Sequence, residues 1–369
     1  MLSYFLRSVH EYTQAYSAGK SSNLGAVIIN NLTKLVDWQQ IDIAIITVGW
    51  QPCENDTFRN ILYNLQQSNR TYRIADLGCL LEGTSLQTST RLQKVCEFLL
   101  SHQVIPFILA CDHALDVSQF AAYEHMKKSV YMLQIDKHLD LDEASSTHLE
   151  EIINYQPNLL IGAGLLAYQE YLTNPLHLQR WQQLGFDLLS IGKMRNHFQQ
   201  VEPLIRSADM ISFDLQAVRP FFSPPHHSFP FGLTPEEACQ IAWYAGKSEH
   251  LTSLGIYGYV PEGDSNGMMA ALVATMCWYF IEGYDRSQKN PDFSQPCFVK
   301  HIVPLSDRFH LVFYKHIQSE KWWMELPCQQ STLLRFERPK AIPCSYQDYL
   351  TACEGLPPDR WIQFSVRLG

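Results

Sequence analysis

Asp136, His138 and Asp140 stand at every second position in the run Tyr-Met-Leu-Gln-Ile-Asp-Lys-His-Leu-Asp, from Tyr131 to Asp140. In an extended chain, alternate side chains share one side. Two carboxylates and an imidazole gathered there pack poorly and suit a metal ion. The competing reading is an unmetallated polar loop carrying a helix cap. Two other stretches bear on the choice. Ala110-Cys-Asp-His113 and Ser212-Phe-Asp214 also end apolar runs in a carboxylate or an imidazole. Each alone reads equally well as a cap or turn; three together point to one site.

The elements that would position these residues alternate. Apolar runs over Ile41–Gly49, Tyr72–Leu77, Val104–Ala110, Tyr131–Ile135, Leu159–Gly162, Phe186–Ile191, Asp209–Leu215 and Leu254–Val260 predict strands. Between them, helices are predicted over Asn55–Gln67, Thr88–His102, Gln119–Met126 and Val201–Ala208, with a long buried one over Met268–Tyr284. Another follows Thr234-Pro-Glu-Glu237, a capping box with proline at the first helical position, and stops near Gly246. Such alternation implies a mostly parallel sheet with helices on both faces, a single three-layer α/β domain spanning residues 1–369. Residues 1–40, read as mostly helical, and 290–369, with strand-like His310–Tyr314 and the Trp322-Trp323 pair, are expected to be peripheral extensions. In such sheets ligands bind beyond the carboxyl ends of the strands, where His113, Asp136 and Asp214 fall. Leu141–Thr147 and the proline-rich Phe221–Gly232 are expected loops, which makes His148, His226 and His227 solvated loop histidines.

Bulk properties narrow the partners. A formal net charge of -9 argues against nucleic acid or an anionic membrane. The first twenty residues interrupt their apolar positions with Arg7, His10 and Glu11, so no secretory leader is expected. The longest apolar run, Met268–Ile281, has 14 residues, short of the ~18–20 that span a bilayer. Ten cysteines without a Cys-x-x-Cys pair read as reduced thiols and point to the cytoplasm.

From about Asn55 to Tyr284, the order and spacing of these motifs resemble the arginase/agmatinase/formimidoylglutamase family, the ureohydrolases, whose signatures are Gly-Gly-Asp-His, Asp-Ala-His-x-Asp and Ser-Phe-Asp-x-Asp. Here they stand as Ala110-Cys-Asp-His113, Asp136-Lys-His-Leu-Asp140 and Ser212-Phe-Asp-Leu-Gln216. Asp76-Leu-Gly78 and Glu236-to-Gly246 look like the formimidoylglutamase branch.

The resemblance implies a two-manganese centre, its ions about 3.5 Å apart, that activates water for attack on an amidine carbon. One ion would take His113, Asp136, Asp140 and Asp214. The other would take His138, Asp136, Asp214 and the last aspartate of Ser-Phe-Asp-x-Asp, which here is Gln216. A neutral amide is a weaker partner for a divalent cation, so Gln216 is a weaker metal candidate and manganese is expected as one ion rather than two, with a metal-free chain as the remaining alternative. The family's substrate-binding glutamate, in an apolar strand just before a proline, falls on Gly258; Glu262 and Asp264 follow that proline. The family's alanine between aspartate and histidine is Lys137, which strand alternation would send away from the ligands. The expected activity is hydrolysis of a linear amidine C–N bond in a small amidine or guanidino substrate such as formimidoylglutamate. The alternative is a catalytically impaired member that binds a small molecule or a partner. A homo-oligomer is left open, and neither nucleic acid nor membrane is expected as a partner.

Overall fold

The computed structural model describes residues 2–9, 22–30, 37–49, 56–67, 72–81, 83–141, 147–220, 230–285, 291–306, 309–326 and 340–368. His226 and His227 lie outside these residues, as does most of the loop after Asp140.

The central sheet has nine strands. They are β1 (Leu6–Arg7), β2 (Ile43–Val48), β3 (Ile74–Leu80), β4 (Ile105–Ala110), β5 (Val130–Ile135), β6 (Leu160–Tyr168), β7 (Asp187–Ser190), β8 (Met210–Asp214) and β9 (Ser253–Tyr257), in the order β1-β3-β2-β4-β9-β8-β5-β6-β7. Every pairing is parallel except that of β1 with β3. The apolar runs of β2, β4 and β5 are buried at every position, as strands covered on both faces must be.

Helices cover both faces. On one side α1 (Thr57–Asn64), α8 (Val201–Ser207), α9 (Pro235–Gly246) and α10 (Met268–Asp285) bury Phe58, Ile205, Ile241 and Phe280. On the other, α2 (Ser85–Ser101), α3 (Asp116–Ala121), α5 (His148–Ile153) and α6 (Pro175–Gln183) bury Leu92, Phe120, Leu149 and Trp181. The short α4 (Tyr123–Met126) and α7 (Ile191–Asn196) complete the series. The Thr234–Glu237 capping box opens α9, satisfying backbone donors that the helix start would leave bare.

Three segments depart from expectation. The described parts of residues 1–40 hold 3-10 turns and the short β1 rather than long helices. The register places β1 tightly on Gly78 (φ +85°), where an added Cβ would lie 2.0 Å from Arg7 O, so only glycine lets this edge strand approach. Strand β6 runs on past Gly162 and Gly164 to Tyr168. Those glycines, which end a strand in a sequence reading, sit where a Cβ would press on Tyr131 and Leu133 of β5. The region after residue 290 builds a second sheet: β10 (Phe298–Ser306), β11 (Phe309–His316), β12 (Trp322–Glu325) and β13 (Ala341–Cys344), all antiparallel. Trp323 is fully buried there, with the guanidinium of Arg206 on α8 4.4 Å from its ring centroid.

Candidate metal centre

Parallel strands bring their carboxyl ends to one edge, and β4, β5 and β8 end there in the residues of interest. Asp112 caps the 3-10 turn after β4 by accepting from Ala114 N at 3.0 Å, and this turn starts with His113. Asp136 directly follows β5, and Asp214 closes β8. Ile135 pairs with Phe213 in the ladder, so the two aspartates leave the sheet side by side. Strand β9 ends between β4 and β8 in Tyr257, whose ring stacks on His113 with centroids 5.3 Å apart.

His113 Nδ1 lies 3.2 Å from Asp214 Oδ2 and 3.7 Å from Asp136 Oδ2. These three residues can each offer one ligand atom to a common point, and so can Asp136, His138 and Asp140. The two groups share Asp136. His138 Nε2 is 2.9 Å from Asp140 Oδ1, and His138 Nδ1 is 3.3 Å from Asp136 Oδ1. Asp140 thus falls with His138 rather than beside His113 and Asp214. The first group is the more buried, with only the His113 side chain partly exposed; the second opens to solvent, with the Asp140 side chain 39% exposed.

The donors fit a divalent cation. Asp136 is fully buried, and its Oδ2 finds no hydrogen bond among the described residues; the same holds for His138 Nδ1. A buried carboxylate oxygen without a donor is costly unless a cation faces it. Carboxylate oxygens with imidazole nitrogen suit manganese.

Protons compete with a cation for these groups. Burial opposes charge on His113, but its hydrogen bond to Asp214 and the charges of Asp116, Asp214 and Asp136 outweigh this and push the imidazole up to about 9. Close contacts with the Asp136 and Asp140 carboxylates push His138 up to about 10 against burial. The His138 bond holds Asp140 below the ordinary carboxylate range, while burial and the nearby Asp214 raise Asp136. A metal must therefore displace protons from this cluster.

Behind His113 stands a polar support that motif reading misses. Nε2 of His113 meets Ser212 Oγ at 2.9 Å, and that hydroxyl donates to Asp116 Oδ2 at 3.0 Å. Asp116 is wholly buried and also accepts from His148 Nδ1 at 2.9 Å. His148 is thus no solvated loop residue. It opens α5, packs its ring 4.5 Å from that of His113, and keeps Nε2 buried without a hydrogen-bond partner among the described residues. The signal for Asp116 was its place three residues after His113, one helical turn on.

Lys137 and Gly258 also differ from expectation. Strand β5 ends at Ile135, so alternation no longer governs Lys137, whose Nζ donates to Gln216 Oε1 at 2.6 Å. Strand β9 stops at Tyr257, and Gly258 turns with φ +79° instead of extending the strand to Val260. Asp264 is engaged at the start of α10, accepting from Met269 N and Ala270 N, and Glu262 is exposed.

The family model described as the arginase family matches residues 54–282. Among solved structures, a Trypanosoma cruzi formiminoglutamase containing manganese aligns with a TM-score of 0.58 at 17% identity, covering 70% of this chain and 98% of its own. Formimidoylglutamase from Bacillus subtilis aligns with a TM-score of 0.60 at 16% identity, covering 77% and 98%. An agmatine ureohydrolase of Thermoplasma volcanium gives 0.53 at 14% identity, covering 73% and 96%. No curated protein matches the chain. Among the described residues, no helix is long and apolar enough to cross a membrane.

Proposed function

The chain belongs to the arginase family, and from that premise we propose that it is a manganese-dependent hydrolase of linear amidine C–N bonds, with formimidoylglutamate as the substrate to test first. One observation supports this most: at the ends of three separate strands, His113 Nδ1 lies within 3.7 Å of carboxylate oxygens of both Asp136 and Asp214, and the buried Asp136 oxygen lacks a donor. In this reading these three residues hold one ion, with His138 and Asp140 beside them and Gln216 as the weakest candidate. Manganese, when bound, lowers the pKa of water and so supplies a nucleophile at neutral pH. The protein does the rest. Asp116, through Ser212, holds the Nε2 side of His113 so that Nδ1 faces Asp136 and Asp214. Asp116 also fixes His148 through Nδ1, leaving its buried Nε2 able to carry a proton.

The substrate side is weaker. No carboxylate stands at Gly258, and Asp264 is already engaged. An amidinium brought out of water without an anionic partner forgoes charge-assisted hydrogen bonds worth about 1.5–3 kcal/mol each. Over two bonds this is about 3–6 kcal/mol, or roughly two to four decades in rate. Gln216 and Gly258 favour a second reading, a catalytically impaired member that binds a small molecule.

Release of urea or formamide from arginine, agmatine and formimidoylglutamate, measured with added manganese, separates the two. Slow formamide release, with little or no urea, fits the first reading. Manganese bound without any turnover fits the second. Arginine turnover in the range of ~1–1000 per second would contradict the second and show that another group does the missing glutamate's job, and Glu262 would then be the residue to mutate.

A further inference from the structure

Two ligand groups share Asp136, and a two-ion centre would have to fill both. The Lys137 ammonium engages Gln216, the candidate ligand outside these two groups. Lys137 sits between Asp136 and His138, in the bend that follows β5. Its Nζ is bonded to Gln216 Oε1 at 2.6 Å. Gln216 is anchored in turn, because its backbone N–H donates to Asp214 Oδ1 at 2.8 Å. The ammonium is therefore tied to both sides of the cleft: through its own backbone to Asp136 and His138, and through Gln216 to Asp214.

We propose that the Lys137–Gln216 contact is a built-in monovalent cation that holds this centre at one divalent ion, seated at His113, Asp136 and Asp214. The proposal rests on the metal-centre reading above. Charge balance supports it. The combined groups hold three carboxylates, Asp136, Asp140 and Asp214. One divalent ion and one ammonium neutralise them. A second divalent ion would leave an excess of two positive charges beside the buried Asp136 and Asp214 carboxylates, where like charges repel more strongly than in water. Geometry agrees. The second group is the more exposed one, and its His138 Nε2 already faces Asp140. Gln216 adds no negative charge, and its amide oxygen, the atom that would coordinate, is occupied by the lysine.

Gln216→Asp alone should therefore not admit a second ion, since Lys137 would pair with the new carboxylate. Removing the ammonium as well should admit it. The test is manganese per chain by elemental analysis after dialysis against micromolar manganese. Electron paramagnetic resonance, in which a coupled ion pair loses the six-line pattern of an isolated ion, gives a second reading. Wild type and Gln216→Asp are expected to hold one ion with isolated spectra. Lys137→Ala/Gln216→Asp is expected to hold two, with a coupled spectrum. Lys137→Gln/Gln216→Asp repeats the test with side-chain length kept, should the alanine variant fold poorly. Two ions in Gln216→Asp would overturn the role of Lys137, and so would one ion in both folded double variants. A wild type that takes up no manganese would instead overturn the metal-centre reading itself.

Discussion

Gly258 offers the sharpest test of how this site departs from a guanidinium hydrolase. The sequence suggests that a glutamate there would restore a substrate anchor. The structure argues otherwise. Gly258 has φ +79°, a conformation that costs residues with a Cβ about 1–2 kcal/mol. A Cβ built on it would lie 2.9 Å from Asp214 Oδ1, closer than such atoms come. Asp214 cannot swing aside freely, because it is buried and that same oxygen accepts from Gln216 N at 2.8 Å. Gly258→Ala should therefore destabilise the fold by about 1–2 kcal/mol, which for a chain of this size lowers the melting temperature by roughly 1–3 °C. It should also push Asp214 off its position and weaken manganese binding about 10–100-fold, as misplaced ligand support does. Gly258→Glu should do the same and gain no arginase activity. Thermal unfolding, manganese titration by calorimetry and a urea-release assay measure the three effects. Unchanged melting and manganese affinity in Gly258→Ala, or arginine turnover in Gly258→Glu, would refute the reasoning.

Asp116→Asn removes the anion behind Ser212 and His148 without changing size; manganese affinity by calorimetry should fall about 10–100-fold, and an unchanged affinity would remove Asp116 from the support of His113. Glu249, buried against Arg206 and Lys321, is held below its ordinary 4.5 because the attraction of those cations outweighs its burial. Its stabilisation is thus present above that pH and lost as pH falls through the lowered value. Glu249→Gln should cost about 3–5 kcal/mol at neutral pH and flatten the acid limb of the stability curve, which urea unfolding at a series of pH values can read. Equal slopes below pH 4.5 in wild type and variant would show that Glu249 titrates normally.

The parallel sheet was legible because its central strands are uninterrupted apolar runs, and from parallelism it follows that His113, Asp136 and Asp214 share an edge. What sequence could not show lies where strands stop. The sequence places Gly258 inside a strand and Lys137 on an extended continuation of one, yet β9 ends at Tyr257 and the chain bends after β5 at Ile135, so the side-chain directions change there. The support by Asp116 and His148 joins residues thirty-two apart through a buried carboxylate, which no local pattern reports. The antiparallel sheet after residue 290 was largely missed for a related reason. Strand β10 alternates only loosely between exposed and half-buried positions, and β12 opens with two adjacent buried tryptophans instead of alternating.

The most direct test of the metal-centre account is anomalous diffraction at the manganese edge, from crystals of the wild-type protein grown with manganese. The expected result is a single anomalous peak within about 2.0–2.4 Å of His113 Nδ1 and of carboxylate oxygens from Asp136 and Asp214. A peak held by His138 and Gln216 without His113, or no peak at the carboxyl edge of β4, β5 and β8, would contradict it.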